Sequence, residues 1–129
     1  MRRLHTIGSN GQTLIALLIF MMLAIMITTT AVAVTVINSQ AGAAYANGGM
    51  ALDNATTGAE NAVIQLERDP NYTGETMTLT NGTATITVSG SGTKTITSVG
   101  TNGNFERTVT VVATYASNTI TVTSWTETP

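Results

Sequence analysis

LIALLIFMMLAIMITTTAVAVTVI, residues Leu14–Ile37, decides how the rest of the chain is read. The stretch carries no charge, and from Leu14 to Ile27 no polar residue interrupts it. As a helix it would span about 36 Å at ~1.5 Å per residue. The hydrocarbon core of a bilayer is about 30 Å thick. A chain of 129 residues has no soluble core deep enough to hide such a segment. It is therefore predicted to cross a membrane. Arg2 and Arg3 precede it, and every acidic residue follows it, Asp53 first. Cationic flanks stay on the cytoplasmic side, so the C-terminal portion is expected outside. The triplet Thr28-Thr29-Thr30 is β-branched, and its hydroxyls compete for backbone carbonyls. Strain or partial unwinding is expected there.

Asn38 and Gln40 mark the exit into a polar medium. Residues 38–69 then read as an amphipathic continuation of the same helix. Leu52, Ala55, Ala59, Ala62, Val63 and Leu66 recur at three- and four-residue spacing and draw one apolar stripe. Asp53, Glu60 and Glu67 lie off it. Small residues crowd Ala41–Ala46, which lets a neighbouring element approach closely, and Gly48-Gly49 is a candidate bend. Asp69-Pro70 ends the helix, because a residue before proline is pushed out of the α region. A helix over residues 12–69 would be about 87 Å long. Part of it must then lie in a membrane or in an assembly.

From Thr76 the apolar period changes to two. Met77 and Leu79 alternate with Thr, as do Ala84, Ile86 and Val88, then Val109, Val111 and Ala113, then Ile120 and Val122. The opposite face is mostly threonine, which makes up 27 of the 129 residues. The pattern predicts a half-buried antiparallel sheet. Asn81-Gly82 signals a two-residue hairpin, and Gly90-Ser91-Gly92, Gly100–Asn104 and Ala116–Asn118 supply further turns. In Lys94–Val99 the phase slips between Ile96 and Val99, which predicts an edge or bulged strand. The stripe Leu52–Leu66 is the cover available for the sheet's apolar face. The expected fold is α+β: a long N-terminal helix whose second half packs on a meander of four or five strands over residues 70–129.

Composition narrows the chemistry. There is no cysteine, which excludes disulfides, thiol nucleophiles and cysteine metal sites. Only 9% of residues are charged and the net charge is −2, so the chain offers no basic footprint for nucleic acid. Asp53, Glu60, Glu67, Asp69, Glu75, Glu106 and Glu127 have no His or Lys motif beside them and read as surface charges. No enzymatic activity and no cofactor are expected. The loop 69–75 is rich in oxygen ligands but lacks EF-hand spacing, so it reads as a helix-to-strand connection rather than a calcium site. N-x-[ST] sequons at Asn54, Asn71 and Asn81 arise readily in an Asn/Thr-rich chain. Trp125 is expected to pack in the core or on the sheet, and His5 is a polar flank of the leader.

The run Gly11-Gln12-Thr13-Leu14-Ile15-Ala16, leading straight into the apolar helix, resembles the processing site of type IV pilins and type II secretion pseudopilins. In that family a short cationic leader ends in Gly, a membrane prepilin peptidase cuts after it, and the new N-terminus is N-methylated. The resemblance covers residues 1 to about 40, and the order of long helix then sheet also looks like the family. It implies a leader 1–11, cleavage after Gly11, Gln12 as the methylated N-terminus, and a membrane and filament-core helix over 12–37. Other pilins or pseudopilins would be partners through that helix. The family's usual Glu at the fifth mature position is Ala16 here. A carboxylate among packed apolar helices is costly unless it meets a cation, and in the filament it pairs with a neighbour's α-amino group. Ala16 cannot make that pair, which implies a minor, tip-type subunit. Loss of Arg2 and Arg3 with the leader would leave three cations against seven anions, a net charge of −4.

Two rival readings compete. Ala41-Gly42-Ala43-Ala44-Tyr45-Ala46 offers signal-peptidase sites, with a mature start at Asn47, but the apolar run is far longer than a signal-peptide core. The other is a single-pass anchored or secreted β domain that binds a surface or glycan through its threonine face. The expected location is the cytoplasmic membrane, with the C-terminal domain outside, and then a pilus or pseudopilus.

Overall fold

A computed structural model describes residues 10–129. Arg2, Arg3 and His5 of the expected leader lie outside the described residues. The chain divides into two units between Ala41 and Gly42. One helix, α1 (Asn10–Arg68), contributes to both.

In the first unit, side chains 11–41 are all exposed. Leu14, Phe20, Met26 and Ile27 each leave more than two thirds of their surface open. This helix lies near the N-terminus and is long and apolar enough to cross a membrane. The expected unwinding at Thr28–Thr30 does not occur. Each hydroxyl donates to the carbonyl four residues back, Thr28 to Ala24 at 2.6 Å, Thr29 to Ile25 at 2.8 Å and Thr30 to Met26 at 2.9 Å. Thr35 does the same to Ala31. The hydroxyls share carbonyls already engaged in the helix instead of displacing their partners.

In the second unit, α1 packs on one five-stranded antiparallel sheet in the order β1-β2-β3-β4-β5. The strands are β1 (Thr76–Leu79), β2 (Gly82–Ser89), β3 (Thr93–Asn102), β4 (Phe105–Ala116) and β5 (Thr119–Thr128). Ala55, Ala59, Ala62 and Leu66 of the helix are fully buried against Ile86, Ile96, Val109 and Val111, and Ala51 is fully buried beside Gly100. Leu52 and Val63, expected in the same stripe, flank it half-buried. The helix ends at Arg68, whose cation favours the C-terminal dipole, just ahead of Asp69-Pro70.

The seam between helix and sheet is narrow because small residues line both sides. A Cβ on Gly100 would strike the Ala51 carbonyl and the Ala55 amide, and lie 2.8 Å from Ala55 Cα. A Cβ on Gly58 would strike Ser98 Oγ and sit 2.9 Å from Ala84 Cβ. This explains where β3 departs from expectation. It is the central strand, paired along its length with β2 and β4, and neither edge nor bulged. Its inward residues are Ile96, Ser98 and Gly100, all buried, while Val99 faces outward. An apolar pattern cannot mark an inward face built from Ser and Gly. The bulge lies instead between β4 and β5, where Val112 pairs with Ser124 and Ala113 with Val122, leaving Thr123 as the extra residue.

The glycine pair does not break the helix, which continues through Gly48 and Gly49. Gly48 is buried, with Arg107 Nη2 3.6 Å from where its Cβ would stand. The first hairpin forms where expected, but its two-residue loop is Thr80-Asn81, with Leu79 paired to Gly82. Gly82 is needed inside the strand (φ +153°), since a Cβ would strike the Thr101 carbonyl and lie 2.8 Å from Asn54 Nδ2. The last hairpin turns through Ser117 and Asn118, both at positive φ, as a two-residue loop between twisted strands requires.

Candidate functional site

Gly11, Gln12 and Ala16, the residues on which the pilin resemblance rests, all lie in the opening turns of α1. All three side-chain positions are exposed. The apolar run follows at once. Its surface offers no charge, and its threonine hydroxyls are met by their own helix. Such a helix can exchange a lipid environment for an apolar protein environment without uncovering an unmet polar group.

No group of three or more His, Asp or Glu among the described residues could hold a metal ion. In the loop 69–75, Asp69 Oδ1 accepts the Asn71 amide at 2.9 Å, and Tyr72 N donates to the Asp69 carbonyl at 3.1 Å. Glu75 Oε1 accepts from Asn61 Nδ2 at 3.0 Å and from the Tyr72 hydroxyl at 3.1 Å. The oxygens of this loop thus tie the end of the helix to the start of the sheet. Burial pushes the Tyr72 phenol up to about 12, helped by its hydrogen bond to Glu75 and by the repulsion of that carboxylate.

The sequons separate in space. Asn54 is 8% exposed, and its Nδ2 donates to the Thr101 carbonyl at 2.8 Å, so it is not open to a glycan in the folded chain. Asn71 and Asn81 are exposed. Trp125 stands opposite Val111 on the helix-facing side, yet is 40% exposed. It packs on the sheet without entering the core. Sequence reasoning did not single out Arg107. Its guanidinium lies over Gly48, and with Tyr45, Leu52, Phe105, Glu127 and Pro129 it lines a groove of about 420 Å³. The available signal was the cation's position in phase with Val109 and Val111, on the face otherwise reserved for apolar residues.

No family model, no curated protein and no solved structure matches this chain.

Proposed function

We propose that the chain is a structural minor pilin or pseudopilin. It is cut after Gly11, held in the cytoplasmic membrane by residues 12–37, and then assembled into a type IV pilus or type II secretion pseudopilus. The observation that carries this reading is the character of α1: a charge-free, exposed apolar run that begins at Leu14, just after Gly11-Gln12-Thr13, and belongs to the same helix as the alanine seam. A filament core needs such a segment, because helix packing there replaces lipid packing. Ala16 leaves no carboxylate to bury, which suits a tip position with no subunit beyond it to register against. The prepilin peptidase and other pilins are the partners this reading requires.

Sequencing the mature N-terminus of membrane-extracted protein tests it. The expected first residue is Gln12, bearing an N-methyl group. A start at Asn47, or a retained Met1, would overturn the reading.

A further inference from the structure

The sheet is unfinished along β5. This strand runs ten residues and pairs only with β4. Its helix-facing side chains are Ile120, Val122, Trp125 and Glu127, as their partners Tyr115, Ala113, Val111 and Val109 dictate. The helix does not cover them all: Val122 is 44% and Trp125 40% exposed, although Ala113 and Val111 beside them are buried. The groove bounded by Leu52, Arg107 and Glu127 opens on the same margin. Long edge strands usually carry lysine, proline or a cover against pairing. β5 has no lysine and no proline, and its one irregularity is the Thr123 bulge. The opposite edge, β1, is shorter, four residues, and it too has no lysine and no proline. Met77 and Leu79 lie half-buried on its helix-facing side, and Thr76 and Thr78 are exposed on the other.

We propose that a second copy of this chain docks along β5 by its β1 edge, so that its Met77 and Leu79 cover Val122 and Trp125. Successive antiparallel pairings make β1 and β5 point the same way. Two copies side by side in one orientation therefore pair β5 with β1 as parallel strands. The competing arrangement joins β5 to β5 about a two-fold axis. It turns the partner's helix end for end, so the two Gly42 ends face opposite ways. Two copies anchored in one membrane by the segments preceding Gly42 must present those ends on the same side. Head-to-tail pairing meets that condition. Charge agrees with it, since Glu127 is the sole charged residue of β5 and β1 has none. Glu75, just before β1, is held by Asn61 and Tyr72 of its own copy. The contact is heterologous and so repeats from copy to copy. Each copy adds about 24 Å of sheet, five strands at about 4.8 Å. The inference rests on the single-membrane part of the pilin reading and not on leader cleavage.

Cysteine cross-linking of the full chain in its membrane decides the matter, because the natural sequence has no cysteine to interfere. Thr78→Cys on β1 is combined in turn with Thr121→Cys, Ser124→Cys and Thr126→Cys on β5, and membranes are oxidised. Within one copy these edges are about 19 Å apart, beyond the reach of a disulfide. At least one double variant should give a ladder of dimers, trimers and larger species, while each single variant stays monomeric. Adding Val122→Lys to that double variant should abolish the ladder. Dimers from a single β5 cysteine would establish two-fold pairing and overturn the proposal, as would monomers in every double variant. A ladder with an uncut leader would sink the pilin reading and leave this one standing; a mature start at Gln12 without a ladder would do the reverse.

Discussion

Ser98 is fully buried, and its hydroxyl meets no hydrogen-bond partner among the described residues. It stands where a Cβ on Gly58 would have to go. An unmet buried hydroxyl costs about 1–3 kcal/mol, so Ser98→Ala should leave stability unchanged or raise it by about 1 kcal/mol in urea denaturation of the micelle-bound chain. Gly58→Ala tests the other partner. Alanine is favoured in a helix interior by about 1 kcal/mol, but here the added methyl meets Ser98 Oγ and Ala84 Cβ. A net loss of about 1–2 kcal/mol is expected, with partial recovery when Ser98→Gly is added. Tyr72 supplies a pH-dependent test. Its folded value near 12 lies above the ordinary 10, so the folded state holds the proton more tightly than the unfolded one. That contribution is fully present below pH 10 and is lost as pH rises through 12. Tyr72→Phe should flatten the fall in stability across that window and lower stability at neutral pH by about 1 kcal/mol.

Among the elements, the second half of the helix and four of the five strands were legible because their apolar residues recur at periods near 3.6 and 2, with the Thr123 bulge of β5 as a break in that pattern. β3 was not, because the seam it belongs to is made by the absence of side chains. Ser98 and Gly100 carry no hydrophobic signal, yet they decide how near the helix lies. Gly100→Ala sets a methyl against helix backbone, which cannot swing aside as a side chain can. A loss of about 3 kcal/mol is expected, larger than for Gly58→Ala, as read by the denaturation midpoint. The threonine triplet was misjudged for a related reason. Competition for carbonyls was foreseen, but back-bonding lets hydroxyl and amide share one acceptor. Replacing Thr28, Thr29 and Thr30 together by Val should therefore leave helicity by circular dichroism unchanged in micelles.

For the whole molecule, the sequence spoke most clearly where chemistry is absent: an apolar run without charge, a domain without cysteine, and Ala16 where the family it resembles carries a carboxylate. Gly11, Gln12 and Ala16 were named through the resemblance of the run Gly11–Ala16 to a prepilin processing site. The open margin at β5 could not be named, since which strand lies outermost depends on topology and not on pattern. Introducing Ala16→Glu gives the minor-pilin proposal a position-specific test. The variant should gain incorporation along the filament shaft when the labelled subunit is imaged, and unchanged placement would count against a tip role.

The alanine seam also has a mechanical meaning. Ala51, Ala55, Ala59, Ala62 and Leu66 follow one another along the helix against the sheet. Tension applied along the axis of this part of the helix loads these contacts together in shear instead of peeling them apart one by one. Any process that hauls on the N-terminal segment, whether extraction from a bilayer or traction on a filament, would meet the combined grip of the row. A seam built from residues too small to fill much volume can thus still hold under load.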